Sequence, residues 1–161
     1  MHYAAYISRE GDNVLAEFPD CPGCQTFAES GDALADAARE ALEGWLEAHL
    51  VDGQVPPRPV SRTGAPRNTK VAQISVRARL AAALQVRWAR HERGLSQREL
   101  GDLASVRQQQ INKLEDPDQN PTLETLEKVA RALGVELDVG FEPVQRISLP
   151  APAPSRMKRK R

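Results

Sequence analysis

Four side chains on the outer face of a predicted helix, all within six residues of the sequence, can hydrogen-bond to nucleic-acid bases. They are Gln108, Gln109, Asn112 and Lys113. Ile111 and Leu114 accompany them, and on a helix this spacing turns the two apolar side chains inward and the four polar ones outward. An amide side chain offers a donor and an acceptor that match adenine, and a lysine can approach guanine or phosphate. The segment from Gln108 to Glu115 therefore predicts a short helix whose outer face suits the reading of DNA bases.

A second short helix is predicted immediately upstream. Ser96 and Glu99 have the spacing of a capping box, in which the hydroxyl and the carboxylate each bind an otherwise unpaired backbone amide. The apolar stripe of this helix is Leu100, Leu103 and Ala104. Residues 105–107 then form a tight turn. Two short helices joined by such a turn are the arrangement that enters the DNA major groove.

Two further helices and a strand complete the second half. Apolar residues recur every four positions from Val76 to Trp88 and predict a helix that ends at Gly94. Thr122 caps another helix, which ends at Gly134. The apolar residues of that helix are Leu123, Leu126, Val129, Ala130 and Leu133. Apolar residues alternate over 135–141, where we expect a final strand that pairs between two chains.

The first half has the pattern of a small sheet with one helix. Strands are predicted at Tyr3–Ser8, Asn13–Phe18, Cys24–Ala28 and Lys70–Val76, and a helix at Asp32–Leu50. Proline-rich residues 53–69 form either a linker or a proline-stiffened loop. The predicted fold class is therefore α+β. Its parts are a small β-β-β-α(-β) domain over residues 1–76, an all-α domain over 77–142 and a disordered basic tail over 143–161.

The formal net charge of zero hides an asymmetry. Residues 1–60 carry 3 basic and 11 acidic side chains, a net charge of −8, whereas residues 61–161 carry 19 and 11, a net charge of +8. An acidic first half suits a basic protein partner, and a basic second half suits nucleic acid. Residues 71–142 alone hold 10 basic and 11 acidic side chains. The prediction of DNA binding therefore rests on the motif and not on bulk charge.

Cys21 and Cys24 have the spacing of a redox dithiol or of half a zinc site. A zinc site needs two further ligands, and the histidines of the sequence show no matching spacing. Glu17, Asp20 and Asp32 are candidate magnesium ligands of an enzyme, but nothing in the sequence fixes their convergence on one point. We therefore expect two reduced thiols, no metal, no cofactor and no enzymatic activity.

Residues 77–139 closely resemble the lambda-repressor-like helix-turn-helix family. The resemblance is carried by G-L-S-Q-R-E-L-G-D-L-A-S-V-R-Q-Q-Q-I-N-K-L-E and by N-P-T-L-E-T-L-E-K-V-A-R-A-L-G after it. The residues that we assign to DNA on this likeness are Gln97, Arg107, Gln108, Gln109, Asn112 and Lys113. The likeness implies that Gln97 contacts the DNA backbone and that the glutamines and the lysine of the next helix point at base edges.

Two positions depart from this family, and one further pair follows from it. Gly101 stands where the family usually has alanine, and Ser105 stands where it usually has the turn glycine. Both changes are expected to weaken the local helix or turn preference without touching the reading face. The likeness also implies that Arg90 pairs with Glu115, a charge-assisted bond that holds the recognition helix in place.

Residues 1–52 resemble the HicB antitoxin domain, through F-P-D-C-P-G-C-Q-T and the alanine-rich helix D-A-L-A-D-A-A-R-E-A-L. Cys24 fits a cysteine often found in that family, whereas Ala33 departs from its usual helix-capping threonine. The likeness implies a partial ribonuclease-H-like sheet and helix that blocks HicA, a small RNA-cleaving toxin of double-stranded-RNA-binding fold. Such a toxin should be basic, which agrees with the charge of −8 on residues 1–60.

Together these observations predict a cytoplasmic type II antitoxin that inhibits a HicA-like mRNA-cleaving toxin and represses its own operon. Its expected partners are the toxin, double-stranded operator DNA and further copies of itself, in a homodimer or higher oligomer, because one helix-turn-helix reads only a few base pairs. The alternative is a ligand-responsive repressor without a toxin partner. That function needs an apolar pocket, for which a small β-β-β-α unit has little room.

Overall fold

A small antiparallel sheet covered by one long helix precedes a group of shorter helices. The computed structural model describes residues 1–61, 64–143 and 147–150. Its elements are, in chain order, β1 (His2–Glu10), β2 (Asn13–Glu17), β3 (Gln25–Ala28), α1 (Gly31–Val51), β4 (Lys70–Ser75), α2 (Ala78–Glu92), α3 (Gln97–Ala104), α4 (Gln108–Leu114) and α5 (Leu123–Ala132). The predicted α+β class is confirmed, because a sheet with one helix is followed by a helical region.

The sheet of the described residues has the strand order β3-β2-β1-β4, with every neighbouring pair antiparallel. Gly11 makes the turn between β1 and β2 with a φ of +63°, a left-handed conformation that glycine adopts without strain. The predicted return of a fourth strand is confirmed, since Tyr6 of β1 lies opposite Val71 of β4. Alternate residues of each strand therefore point to opposite sides of one sheet.

Helix α1 covers one side of this sheet. Ser30 accepts a hydrogen bond from the Ala33 N–H at 3.3 Å and so caps the first turn. The apolar side chains that α1 buries recur every four residues and are Leu34, Ala38, Leu42, Leu46 and Leu50. Tyr3 and Ile7 of β1 are fully buried in the same core. Each such large side chain contributes about 1.5–3 kcal/mol through burial.

Helix α2 belongs to two hydrophobic cores at once. Leu80, Leu84 and Trp88 pack in the core formed by the sheet and α1. Val86, on another side of α2, packs with apolar residues of α3, α4 and α5. The halves of the chain are therefore joined by the packing of one shared helix and not only by the chain itself.

Residues 54–60, named here the proline strap, are hydrogen-bonded to the sheet side of the molecule. The Tyr3 hydroxyl donates to the Pro57 carbonyl at 2.8 Å. The Val60 N–H donates to the Asp20 carboxylate at 3.0 Å. Each bond satisfies a polar group at the edge of a packed core, where an unpaired group would be costly.

The proline strap is also bonded to α2. Trp88 Nε1 donates to the Pro56 carbonyl at 2.6 Å, and an Arg87 guanidinium nitrogen donates to the Gln54 carbonyl at 3.1 Å. Arg58 of the strap lies over the Trp88 ring, 5.0 Å from its centre, in a cation–π contact. Of the two interpretations of this segment, the hydrogen bonds favour the proline-stiffened loop over a free linker.

A strand is predicted from Val135 to Phe141. In the described structure this segment is irregular and forms no strand. Val139 is 61% exposed and Phe141 is fully exposed. The backbone hydrogen bond that ties this segment to other described residues runs from the Val135 N–H to the Ala130 carbonyl at 3.0 Å. The prediction is wrong for the single chain, because alternating apolar residues make a strand only where a second strand pairs with the backbone.

Helix α3 differs from the prediction in its buried side. Leu103, which the pattern placed in the apolar stripe, is 59% exposed. The buried side consists of Leu100, Gly101 and Ala104. Because Gly101 has no side chain, the backbone that follows α3 packs against the helix at this position. The buried side of α3 therefore includes Gly101 and leaves Leu103 exposed.

Part of the predicted basic tail can be placed. Residues 144–146 and 151–161 lie outside the described residues, so the prediction of disorder there stays a prediction. Ile147 and Leu149 pack against the core of the sheet and α1, and Leu149 reaches Gly31 at the start of α1. Within the described part of the chain, none of the helices has the length and apolar character that crossing a membrane requires.

Candidate nucleic-acid interface

Helix α4 presents a polar surface to solvent. Ile111 and Leu114 are buried in the second core, as predicted. The exposed side chains of the helix and its first flanking residue include Arg107, Gln108, Gln109, Asn112 and Lys113. The structure thus leaves every one of the predicted DNA-binding residues accessible except Gln97, which is half-buried.

The first turn of α4 is closed by Gln110, a residue that the sequence reasoning missed. Its side-chain oxygen accepts a hydrogen bond from the Arg107 N–H at 3.0 Å. The sequence does contain a signal for this bond, because Gln110 follows Arg107 by three residues. At that spacing a glutamine side chain can accept a hydrogen bond from the backbone N–H of the residue that caps the helix. Within the described residues, the side-chain amides of Gln108 and Gln109 form no hydrogen bond to the protein, so they are available to an external partner.

Glu115, directly after α4, fastens this helix to α2. Its carboxylate accepts two hydrogen bonds from the Arg90 guanidinium, from Nε at 2.5 Å and from Nη2 at 2.9 Å. The predicted pair of Arg90 and Glu115 is therefore confirmed. Glu115 is only 2% exposed. A two-point contact between planar groups fixes the direction of the helix as well as its distance.

Two more side chains reach the same carboxylate. Arg87 Nε lies 3.0 Å from Glu115 Oε2, and Gln97 Nε2 donates to that oxygen at 3.1 Å. Arg87 was missed in the sequence, although it precedes Arg90 by three residues and so shares its side of α2. Gln97 was expected at the DNA backbone, and its amide nitrogen instead binds within the protein. Arg87, Arg90, Gln97 and Glu115 are named here the Glu115 cluster.

The Glu115 cluster keeps its carboxylate ionised. Burial by itself would raise the pKa of Glu115. The hydrogen bonds from Arg90 and Gln97, together with the charges of Arg90 and Arg87, outweigh burial, so the pKa of Glu115 lies below its ordinary value. At neutral pH the anchor of α4 is therefore a charged carboxylate between two arginines.

The turn between α3 and α4 brings the backbone after α3 close to Gly101. Ser105 has a φ of +55°, in the left-handed region that is costly for residues other than glycine. A Cβ atom on Gly101 would lie 2.9 Å from the Val106 carbonyl oxygen and 3.3 Å from the Gln108 backbone nitrogen. Gly101 therefore has a packing role that its weak helix preference did not reveal.

The other residues considered for chemistry lie in the first half. Cys21 and Cys24 are free and buried, and burial raises the pKa of their thiols to about 12 and about 11, so both are protonated and weakly nucleophilic. Asp20 binds the proline strap, Glu17 is exposed on β2, and Asp32 is exposed in the first turn of α1. Among the residues that the structure describes, no three His, Cys, Asp or Glu side chains are grouped so that they could hold a metal ion.

Comparisons with known proteins bear mainly on the second half. A family model described as helix-turn-helix matches residues 86–139, which run from within α2 past the end of α5. The chain is similar to a solved structure of the HicA3 and HicB3 toxin-antitoxin complex, with a TM-score of 0.43 and 21% identity over 48% of this chain and 99% of that chain. No curated protein matches the sequence. Residues 86–139 are thus a helix-turn-helix domain, of the kind that binds DNA in transcriptional regulators.

Proposed function

We propose that the protein is a type II antitoxin that inhibits a HicA-like mRNA-cleaving toxin and represses its own operon. The observation that carries the proposal is the exposed polar face of α4, which the buried Glu115 cluster holds in a fixed direction. A side chain on a fixed helix can discriminate bases, because hydrogen bonds to base edges require a set distance and angle.

In the proposed complex, α4 enters the major groove. Gln108 and Gln109 meet base edges with their free amides, and Asn112 lies one turn further along the same helix. Arg107 and Lys113 supply positive charge for guanine or for phosphates. Gln97 acts at the DNA backbone only indirectly, by holding Glu115 and with it α4.

DNA binding is tested with a duplex from the upstream region of the gene and fluorescence anisotropy. Gln109→Ala should cost about 1–3 kcal/mol of specific binding, whereas Lys113→Ala should weaken specific and nonspecific binding alike and reduce the salt slope by about one. Asn13→Ala, which removes an exposed amide from the β1–β2 hairpin, is the control and should bind like wild type. Equal affinity of all four proteins would exclude α4 as the reading helix.

The antitoxin part of the proposal is supported by the resemblance of residues 1–52 to HicB and by the net charge of −8 on residues 1–60. A toxin that cleaves RNA must attract polyanionic RNA and so carries positive charge, which an acidic inhibitor can neutralise. We therefore expect a small basic protein to be encoded beside the gene.

The antitoxin part is tested by expressing that neighbouring protein in growing cells. It should stop growth alone, and co-expression of the full chain should restore growth. The variant with Gln108→Ala and Gln109→Ala should restore growth equally well while failing to repress the operon, because the proposal assigns the two activities to different surfaces. Growth arrest that the full chain does not relieve would contradict the antitoxin function and leave a repressor regulated by another signal.

We further propose that the protein forms a homodimer through residues 135–141. Val135, Leu137, Val139 and Phe141 alternate and are all exposed in the single chain. Val135, Leu137 and Val139 border a groove of about 880 Å³ that is also lined by the α5 side chain of Leu123, which is 58% exposed. A second copy would supply both the missing strand partner and the cover for these apolar side chains. Two copies would also read the two halves of a symmetric operator.

Sedimentation equilibrium tests this interface. Val139→Asp should shift the protein toward monomer and weaken operator binding, because it places a charge in the apolar contact between copies. Val51→Asp replaces an equally apolar residue that is 79% exposed at the end of α1 and serves as the control. A dimer that survives Val139→Asp unchanged would assign self-association to another surface.

A further inference from the structure

One side of the sheet is covered by α1. Among the described residues, the other side is buried at Ala4 but accessible around Phe27. By the strand register, Ser8, Leu15 and Phe27 form one row across β1, β2 and β3. Tyr6 lies between Val71 and Glu17 in the next row. None of these residues belongs to the buried set, and Phe27 is 69% exposed. This side is named here the open sheet face.

The open sheet face has an apolar centre. Leu15 and Phe27 are directly opposite each other, and Tyr6 and Val71 are opposite each other one row away. Their side chains form a diagonal apolar patch across the sheet, because cross-strand and diagonal neighbours touch. Among the described residues of the C-terminal segment, Glu142 contacts His2 at the far end of β1. Within this patch Phe27 is exposed, and Tyr6, Leu15 and Val71 are partly buried. None of the described helices packs on Phe27, which leaves an apolar side chain available to a partner.

The charge of the open sheet face has one sign. Strand alternation puts Glu10 and Glu17 on this side and turns Arg9 and Lys70 to the other side. Lysine and arginine are therefore missing from this side of the four described strands. An apolar centre with carboxylates beside it complements a partner that has an apolar anchor surrounded by basic residues.

We infer that the open sheet face is the surface that docks the basic toxin. The inference rests on the proposed function and adds the location of the site. Phe27, as the most exposed aromatic side chain on this face, is the anchor that enters the partner, and Glu17 pairs with a basic side chain beside it. DNA binding and toxin binding then use separate surfaces, so one antitoxin can hold operator and toxin together.

The probe is the purified, catalytically inactive form of the basic protein encoded beside the gene, and binding to the full chain is measured by calorimetry. Phe27→Asp should weaken binding by about 30-fold or more, as for a central aromatic anchor. Glu17→Lys should weaken binding by about tenfold at low salt and less at high salt, because it acts through charge. Each variant must melt and bind operator DNA like wild type.

The matched control substitutions lie on α1, which covers the opposite side of the sheet. Val51→Asp removes an exposed apolar side chain as Phe27→Asp does, and Glu40→Lys makes the same charge change as Glu17→Lys. Loss of binding confined to the two sheet variants supports the inference. Wild-type binding by both sheet variants overturns the docking face and leaves the antitoxin function standing.

Two further outcomes separate the remaining cases. If the wild-type chain does not bind the neighbouring protein, the proposed function fails, and the docking face fails with it. If Phe27→Asp changes the mass of the free protein in solution, the face is an interface between copies of this chain, and the inference is again overturned.

Discussion

Glu115 is buried, and it positions α4 for the exposed side chains of that helix. It does not face solvent, yet two arginines of α2 and the first residue of α3 all bind its carboxylate at the end of α4. The direction of α4 depends on this cluster, because α4 is only seven residues long and a helix of that length is unstable alone.

Replacing Glu115 with alanine should lower stability and operator binding together. Removal of the carboxylate leaves Arg87 and Arg90 buried without their counter-charge, which costs about 3–5 kcal/mol. The measurement is urea unfolding followed by circular dichroism. Glu124→Ala breaks an exposed pair with Lys128 and should leave the stability close to that of wild type. Equal losses in the two variants would show that the Glu115 cluster is not a buried anchor.

The Glu115 cluster also predicts an acid-sensitive contribution to stability. The pKa of Glu115 is below its ordinary value in the folded protein, so the unfolded chain takes up the proton first as pH falls. This contribution is complete above about pH 4.3, the ordinary value for glutamate, and is lost as pH falls through the folded pKa. Melting curves from pH 7 to pH 3 should therefore show wild type and Glu115→Gln converging in acid. A constant difference between them would contradict the prediction.

The turn between α3 and α4 is the element that sets the angle between these two helices. Ser105→Gly should stabilise the protein by about 1 kcal/mol, because it relieves the left-handed backbone of a residue with a Cβ. Gly101→Ala should destabilise it by about 1–3 kcal/mol despite the better helix preference of alanine, since the new methyl group meets the Val106 carbonyl. Thermal unfolding measures both changes in stability. If Gly101→Ala stabilised the protein, the backbone of the turn would have shifted to accommodate the methyl group at little cost.

The proline strap is an element without helix or strand that nevertheless joins parts of the fold. Its backbone carbonyls accept hydrogen bonds from Tyr3 on the sheet and from Trp88 on α2. Prolines hold these carbonyls in place because they restrict the backbone. Arg87 links the strap to the Glu115 cluster, since it binds the Gln54 carbonyl and the Glu115 carboxylate.

At the scale of the molecule, the shared helix α2 should make unfolding a single event. Leu80, Leu84 and Trp88 complete the first core, and Val86 completes the second. We expect tryptophan fluorescence, which reports the first core, and circular dichroism, which reports all helices, to give coincident urea transitions. Two separate transitions would show that the two cores are independent.

At the scale of the whole molecule, the two proposed binding surfaces carry charges of opposite sign. The open sheet face offers Glu10 and Glu17, whereas the α4 surface offers Arg107 and Lys113. Surfaces of opposite sign would discourage each proposed partner from the wrong site, since the α4 surface would repel a basic protein and the open sheet face would repel DNA.

Most elements of the fold followed from local signals in the sequence. Ser96, Thr122 and Gly134 marked helix ends, and alternation in Lys70–Val76 marked a strand of the first sheet, because caps and periodicity depend on neighbours a few residues away. The exposed set on α4 followed from the same helical spacing. The pair of Arg90 and Glu115 came from family resemblance and not from periodicity.

The tertiary structure decided what depends on residues far apart in the chain. Arg87 joined Glu115, Gln97 turned inward, and the proline strap became fixed, since each depends on contacts between distant segments. The segment 135–141 stayed irregular because the sequence pattern states a preference for pairing but does not supply a partner strand. Local spacing thus determined the helices and most strands, whereas burial and long-range hydrogen bonds determined which side chains remain free to bind.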